Sequence, residues 1–171
     1  GTTYLGVLNR SQKQVDIRVP LATHGLRPLL GGDEQHVATA YDVESGQFLR
    51  LDTPFTVTMP AESFRLFIAR QELGVLWTNS SFQSQPAGAT LLTTLRGPAG
   101  LPGYAYLACP SPRRVILDGA ILNQVEHEPA DGLEYLYDAQ TGVLLVRYEN
   151  DPAGHTLVVE SRPPRRRRHV A

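Results

Sequence analysis

Side chains able to do chemistry are scattered along this chain. Its acidic candidates are Asp33, Glu34, Asp42, Glu126, Glu128, Asp131 and Asp138. A glycosidase needs two such carboxyls facing each other across a substrate. These lie mostly in turn-like segments, where Asp and Glu are solvated or bond the backbone, and no spacing selects a pair. The histidines are His24, His36, His127, His155 and His169, without His-Glu-x-x-His spacing. Glu126-His127-Glu128 is the densest set of potential metal ligands. On a strand, however, His127 would point away from its two neighbours. No Gly-x-Ser-x-Gly elbow, phosphate-binding loop or dinucleotide fingerprint is present. Cys109, the sole cysteine, follows an apolar run and reads as a small buried hydrophobe. No internal disulfide or multi-cysteine metal site can form. The residues therefore predict no catalytic group, no metal site and no cofactor.

Aromatic side chains offer a different chemistry. A sugar ring stacks on an aromatic plane beside hydrogen-bonding groups. Trp77-Thr78-Asn79-Ser80-Ser81-Phe82-Gln83 has that composition in one segment. Trp77 and Asn79, with Tyr104 and Tyr106, are the predicted sugar contacts. The competing expectation is that Trp77 ends a core strand and packs inward. Asn9-Arg10-Ser11 and Asn79-Ser80-Ser81 match the N-glycosylation pattern, which points to a secreted or lysosomal setting if they are used.

Charge narrows the partners. Lys and Arg total 16 against 17 Asp and Glu, a net charge of -1. No global field recruits nucleic acid. Five of the basic residues fall in Ser161-Arg162-Pro163-Pro164-Arg165-Arg166-Arg167-Arg168-His169. This run is expected to be a solvated terminal tail, with binding to a polyanion as the alternative. No apolar run approaches the roughly 20 residues of a membrane-spanning helix. No signal peptide is recognisable; Gly1 to Leu8 already reads as a strand, which predicts a piece of a longer protein.

Short alternating runs must position these residues. Val15, Ile17 and Val19 alternate with Asp16 and Arg18, and Phe55, Val57 and Met59 with Thr56 and Thr58. This period of two predicts strands with one apolar face. Phe64 to Ala69 fits a strand better than a helix, and the Gly/Pro-rich stretch 23–33 reads as a loop. Asp118-Gly119 predicts a hairpin turn, and Gln85-Pro86-Ala87-Gly88 another turn. Roughly thirteen short strands result, at the 8–12-residue spacing of sandwiches. With 171 residues, 42% apolar and 19% charged, a full core is available. The predicted fold is all-β, an antiparallel β-sandwich in two consecutive lobes, 1–72 and 73–161, with an Arg-rich tail at 162–171. The two-lobe division rests on a repeat: Tyr41-Asp42-Val43-Glu44-Ser45-Gly46 returns as Tyr137-Asp138-Ala139-Gln140-Thr141-Gly142. A single Greek-key sandwich is the alternative.

Ala40-Tyr41-Asp42-Val43-Glu44-Ser45-Gly46, Phe55-Thr56-Val57-Thr58-Met59-Pro60-Ala61 and Phe64-Arg65-Leu66-Phe67 together resemble a known kind of module. So do Leu5-Gly6-Val7-Leu8-Asn9-Arg10-Ser11, Arg114-Val115-Ile116-Leu117-Asp118-Gly119 and Asp138 to Val146. The chain looks like the C-terminal β-sandwich region that follows the catalytic barrel in glycoside hydrolases of the α-galactosidase, raffinose-synthase and α-glucosidase groups. The resemblance implies a non-catalytic accessory module that stabilises the catalytic domain of the parent enzyme or shapes its substrate rim. The family's catalytic aspartates lie on the barrel, and none is carried over here. The Arg-rich tail departs from the pattern. An independent carbohydrate-binding sandwich, or a structural or assembly domain with a basic tail, are the alternative functions.

Overall fold

The computed structural model describes residues 2–20, 38–51 and 54–162. The loop at 23–33, Asp33, Glu34, His24, His36, His169 and the arginines at 165–168 lie outside the described residues. The described residues form only strands and turns. In chain order the first strands are β1 (Thr2–Asn9), β2 (Val15–Val19), β3 (Ala38–Asp42), β4 (Phe48–Leu51), β5 (Phe55–Met59) and β6 (Ser63–Arg70). Next come β7 (Gly74–Thr78), β8 (Ser81–Ala87), β9 (Thr90–Arg96), β10 (Pro102–Ala108) and β11 (Pro112–Leu117). The last are β12 (Ala120–Ile121), β13 (Asn123–Val125), β14 (Glu134–Asp138), β15 (Val143–Glu149) and β16 (His155–Ser161).

The early strands build a four-stranded sheet, β1-β6-β3-β4, faced by the pair β2-β5. Alternation decides which side is core. Leu5, Val7, Ala40, Phe67 and Ala69 point inward and meet Val19, Val57 and Met59. The later strands build two five-stranded sheets, β13-β14-β15-β10-β7 and β12-β11-β16-β9-β8. Between them lie Leu107, Leu144, Val146 and Tyr148 from one side and Leu91, Leu95, Val115, Leu157 and Val159 from the other. Pairing is antiparallel except for β13 against β14. The all-β, antiparallel reading of the sequence holds.

Several local expectations need correction. Sixteen strands are present among the described residues rather than thirteen. The expected turn at Gln85 to Gly88 starts two residues later, because Pro86 and Ala87 end β8. Proline is tolerated there because β8 is an edge strand, where a missing donor breaks no central ladder. Pro102 and Gly103, read as loop, open β10. Glu126, His127 and Glu128 follow β13 rather than forming a strand. Glu128 bonds Arg147 at 3.1 Å and His127 lies 3.8 Å from Glu134, so the three do not converge.

The Asp118-Gly119 turn has positive φ at both residues, 50° and 84°, as a two-residue hairpin of the primed type requires. It is pinned from β16. Asp118 Oδ1 accepts from the Thr156 amide at 2.7 Å, and Oδ2 faces His155 Nδ1 at 2.6 Å. The other ring nitrogen of His155 meets the Glu149 carbonyl at 2.6 Å. Two acceptors on one ring call for two N–H groups, so the imidazolium is the form that fits. Burial lowers the His155 pKa, but the Asp118 bond, the Glu149 carbonyl and the charges of Asp118 and Asp151 outweigh it, and the net shift is upward. A raised folded pKa means that this stabilisation is complete below the ordinary value of 6.5 and is lost as pH rises through the folded value. The Tm is therefore expected to fall across that window in the native chain and to flatten there in His155→Gln. Equal slopes in both proteins would contradict the clamp.

Candidate functional site

The repeated motif folds the same way twice. In the first copy, Asp42 Oδ1 accepts from the Glu44 amide at 3.1 Å and Oδ2 from the Ser45 hydroxyl at 2.7 Å. In the second, Asp138 Oδ1 accepts from the Gln140 amide at 2.8 Å and Oδ2 from the Thr141 hydroxyl at 2.6 Å. Each aspartate carbonyl accepts the amide of the closing glycine, Gly46 at 2.9 Å and Gly142 at 2.8 Å. Both glycines take φ near +70°, which a side chain would strain. The copies differ in burial. Asp42 is 2% exposed and also holds the Arg65 guanidinium, whereas Asp138 is exposed.

The two hairpins meet. Thr39 donates its hydroxyl to the Thr141 carbonyl at 2.7 Å, and Arg50 Nη1 reaches the Gln140 carbonyl at 3.4 Å. Beside this contact four half-buried rings touch in a closed circuit. Tyr41 and Phe48 are 5.1 Å apart, Phe48 and Tyr106 4.9 Å, Tyr106 and Trp77 5.8 Å, and Trp77 and Tyr41 5.8 Å. A β-bulge brings Trp77 into place. Tyr106 pairs with Trp77 but Leu107 with Val75, which leaves Leu76 as the extra residue. Val75 faces the core while Leu76 packs beside Ala108 and Val143, towards Tyr41 and Phe48.

A cleft of about 370 Å³ opens beside the circuit. Its floor is one rung of the sheet, Leu136 opposite Leu145 opposite Tyr106. Gly46, Gln47 and Phe48 of the first hairpin form one wall, and Asp138, Thr141 and Val143 of the second form the other. The Thr141 bond holds the Asp138 carboxyl below the usual carboxylate range; burial opposes this and the two turn amides assist it. Burial raises the Tyr106 phenol, helped by Tyr104, Tyr41 and Glu128, so it stays a protonated donor at neutral pH. The lining thus includes a fixed anion, a neutral phenol and a primary amide beside two leucines.

The four residues expected from sequence to contact sugar have distinct surroundings. Trp77 and Tyr106 belong to the ring circuit, and Tyr106 also lines the cleft. Tyr104 lies two residues back along β10, opposite Arg147, with the Arg147 guanidinium 5.8 Å from its ring centroid. Asn79 works as a piece of backbone: its Nδ2 donates to the Pro102 carbonyl at 2.9 Å and its Oδ1 accepts from the Tyr104 amide at 2.8 Å. Ser80 is buried, donating to Asn150 Oδ1 at 2.6 Å with its oxygen 2.7 Å from the Tyr148 hydroxyl. Asn9 is also enclosed, with Nδ2 donating to the Lys13 and Pro60 carbonyls at 2.8 and 2.6 Å. A glycan on Asn9 Nδ2 would displace those bonds. Sequence reasoning missed Gln47, Leu136 and Leu145 as a group, because the pairing of β14, β15 and β10 collects the two leucines and the Thr39–Thr141 contact brings the first hairpin, with Gln47, beside them.

No protein-family model matches the chain, and no curated protein does. Solved structures similar to it include two chains of a GH31 dextranase from Flavobacterium johnsoniae, a glycoside hydrolase. One is a mutant complexed with isomaltotriose and the other is complexed with glucose. Their TM-scores are 0.36 and 0.37, each at 8% identity over 93% of this chain. The chain spans 26% of the length of those enzymes. A likeness this faint assigns no role to any residue.

Proposed function

We propose that this chain is a non-catalytic β-sandwich accessory module of a glycoside hydrolase, and that it stabilises the catalytic domain by packing against it. The observation that carries the reading is an apolar strip on the outer face of the β1-β6 sheet. Tyr4 is 67% exposed, Leu8 50% and Phe64 57%. Leu8 lies directly opposite Phe64, and Tyr4 opposite the half-buried Ile68. Scattered exposed apolar residues are ordinary, but cross-strand pairs that include rings on one face suit a partner surface. The sequence resemblance supplies the partner, the catalytic barrel of the parent enzyme. In this reading residues 1–72 and 73–161 are two lobes joined at Thr39–Thr141 and by the ring circuit, and 162–171 is a tail.

The test is Tyr4→Ser/Phe64→Ser, made both in this chain alone and in the native polypeptide containing it. Alone, the variant should keep its stability within about 0.5 kcal/mol, as surface changes do. In the whole enzyme, the catalytic domain should unfold at a lower temperature. A reading frame without a barrel-sized domain, or an enzyme indifferent to the change, would overturn the proposal. A second reading, an independent carbohydrate-binding domain, has the cleft between the two hairpins in its favour.

A further inference from the structure

We propose that the cleft between the two aspartate hairpins binds a neutral pyranose ring, with its C–H face on Leu136 and Leu145 and its hydroxyl edge towards Asp138, Gln47 and Tyr106. This site uses none of the apolar strip at Tyr4, Leu8 and Phe64, so it stands whether or not the docking reading does.

Size and lining come first. About 370 Å³ lies within the range of small-molecule sites, which combine an apolar surface with a few placed polar groups. The floor carries two leucines and is fixed, since Leu145 is held between Leu136 and Tyr106 in one sheet rung. Nothing lies within 4 Å of the place where a side chain on Gly46 would begin, so the cleft stays open at the first hairpin.

Charge then selects the ligand. Among the described residues Asp138 is the only charged group in the lining, which disfavours an anion. Arg147, on the same sheet face, is already paired with Glu128 at 3.1 Å and Asp131 at 2.8 Å. A quaternary ammonium would need open aromatic faces. Phe48 is stacked on Tyr106 at 4.9 Å and leans on Tyr41 at 5.1 Å, while Tyr106 also contacts Trp77. The rings are thus committed to one another, and the leucines provide the apolar platform.

A neutral polyol fits what remains. Within its own turn the Asp138 carboxylate takes three donors, the Gln140 amide, the Thr141 hydroxyl and the Thr141 amide. A carboxylate has about four acceptor sites, so a further hydroxyl can bond it. Gln47 adds an amide that both donates and accepts, and Tyr106 adds an O–H donor. A ring with one C–H face and a hydroxylated edge matches a floor carrying two leucines beside these polar groups.

The test titrates the protein with methyl α-D-glucopyranoside, methyl α-D-galactopyranoside and D-xylose. Binding is read by fluorescence of Trp77, the only tryptophan and a neighbour of Tyr106. Ligand-observed saturation-transfer NMR reads it independently of Trp77. At least one pyranoside should saturate in the millimolar range, with acyclic sorbitol and the gluconate anion much weaker. Gln47→Ala and Asp138→Asn should each weaken it about tenfold, as loss of one good hydrogen bond does, with the near-UV spectrum retained. Silence in both readouts up to about 100 mM, equal binding of sorbitol, or unchanged affinity in both variants would overturn the site. None of those results bears on the docking surface, which is read in the whole enzyme.

Discussion

Asp42→Ala is expected to lower the free energy of unfolding by about 3 kcal/mol, against about 1 kcal/mol for Asp138→Ala. The two aspartates occupy the same place in the same hairpin, so the contrast isolates burial and charge. Asp42 is 2% exposed and accepts from Glu44, Ser45 and Arg65. Removing it strands the Arg65 guanidinium beside the Phe67 ring, with Glu44 at 3.6 Å as its remaining ion partner among the described residues. Asp138 has no cation bonded to it among the described residues and sits in water, where turn amides find other acceptors. In a chain of this size the difference amounts to roughly 4–8 °C in Tm. Calorimetry on both variants checks it, and equal losses would mean that only the turn geometry matters. The acid limb should change as well. Burial raises the Asp42 pKa, but Ser45, Arg65 and the Glu44 amide more than reverse this, and the net shift is down from 3.8. Its contribution is thus present above pH 3.8 and lost as pH falls through the folded value. Asp42→Asn should be less sensitive in that range.

The second large effect is expected at Gly103. A Cβ there would overlap the Tyr148 ring. That ring is 1% exposed and held at its far end, where the hydroxyl meets Ser80 at 2.7 Å and Ser80 donates to Asn150 at 2.6 Å. His155 packs against it edge-on at 5.4 Å. With no room to turn, Gly103→Ala should cost about 3 kcal/mol, the upper end of ordinary overpacking. Tyr148→Leu alone should also destabilise, by opening a cavity and leaving Ser80 short of a partner. Combined, the two changes should cost less than their sum by about 1 kcal/mol, because the leucine vacates the space that the new methyl needs. A strictly additive pair in denaturant titrations would place the strain elsewhere.

What could be read from sequence was what is local. The two aspartate hairpins are legible because each side chain bonds amides two and three residues on, and each glycine supplies its own φ. Asp118-Gly119 is legible because its glycine too supplies its own φ, and Phe64 to Ala69 because Phe64-Arg65-Leu66 alternates, although the face it buries is the other one, Phe67 and Ala69. Ser81 to Ala87 was not legible as a strand: its residues are exposed throughout, so no apolar period marks it, and Pro86 argues against it. Asn79 shows how little residue type alone decides: an amide that suits a sugar hydroxyl equally suits a peptide group, and here it bonds the Pro102 carbonyl and the Tyr104 amide. The cleft was invisible because Gln47, Leu136 and Leu145 come together only through sheet pairing and the Thr39–Thr141 contact.

The position of β16 has a consequence for how the molecule is made. β16 lies in the middle of its sheet, with β11 on one side and β9 on the other, and Leu157 and Val159 are wholly enclosed. Val159 pairs with Leu91 and with Val115, both far earlier in the chain. As the polypeptide leaves the ribosome, β8–β9 and β11–β12 emerge as two separate hairpins with no strand to bridge them. That layer can close only after residue 161 has emerged, and until then the growing chain holds half of its largest core open to water.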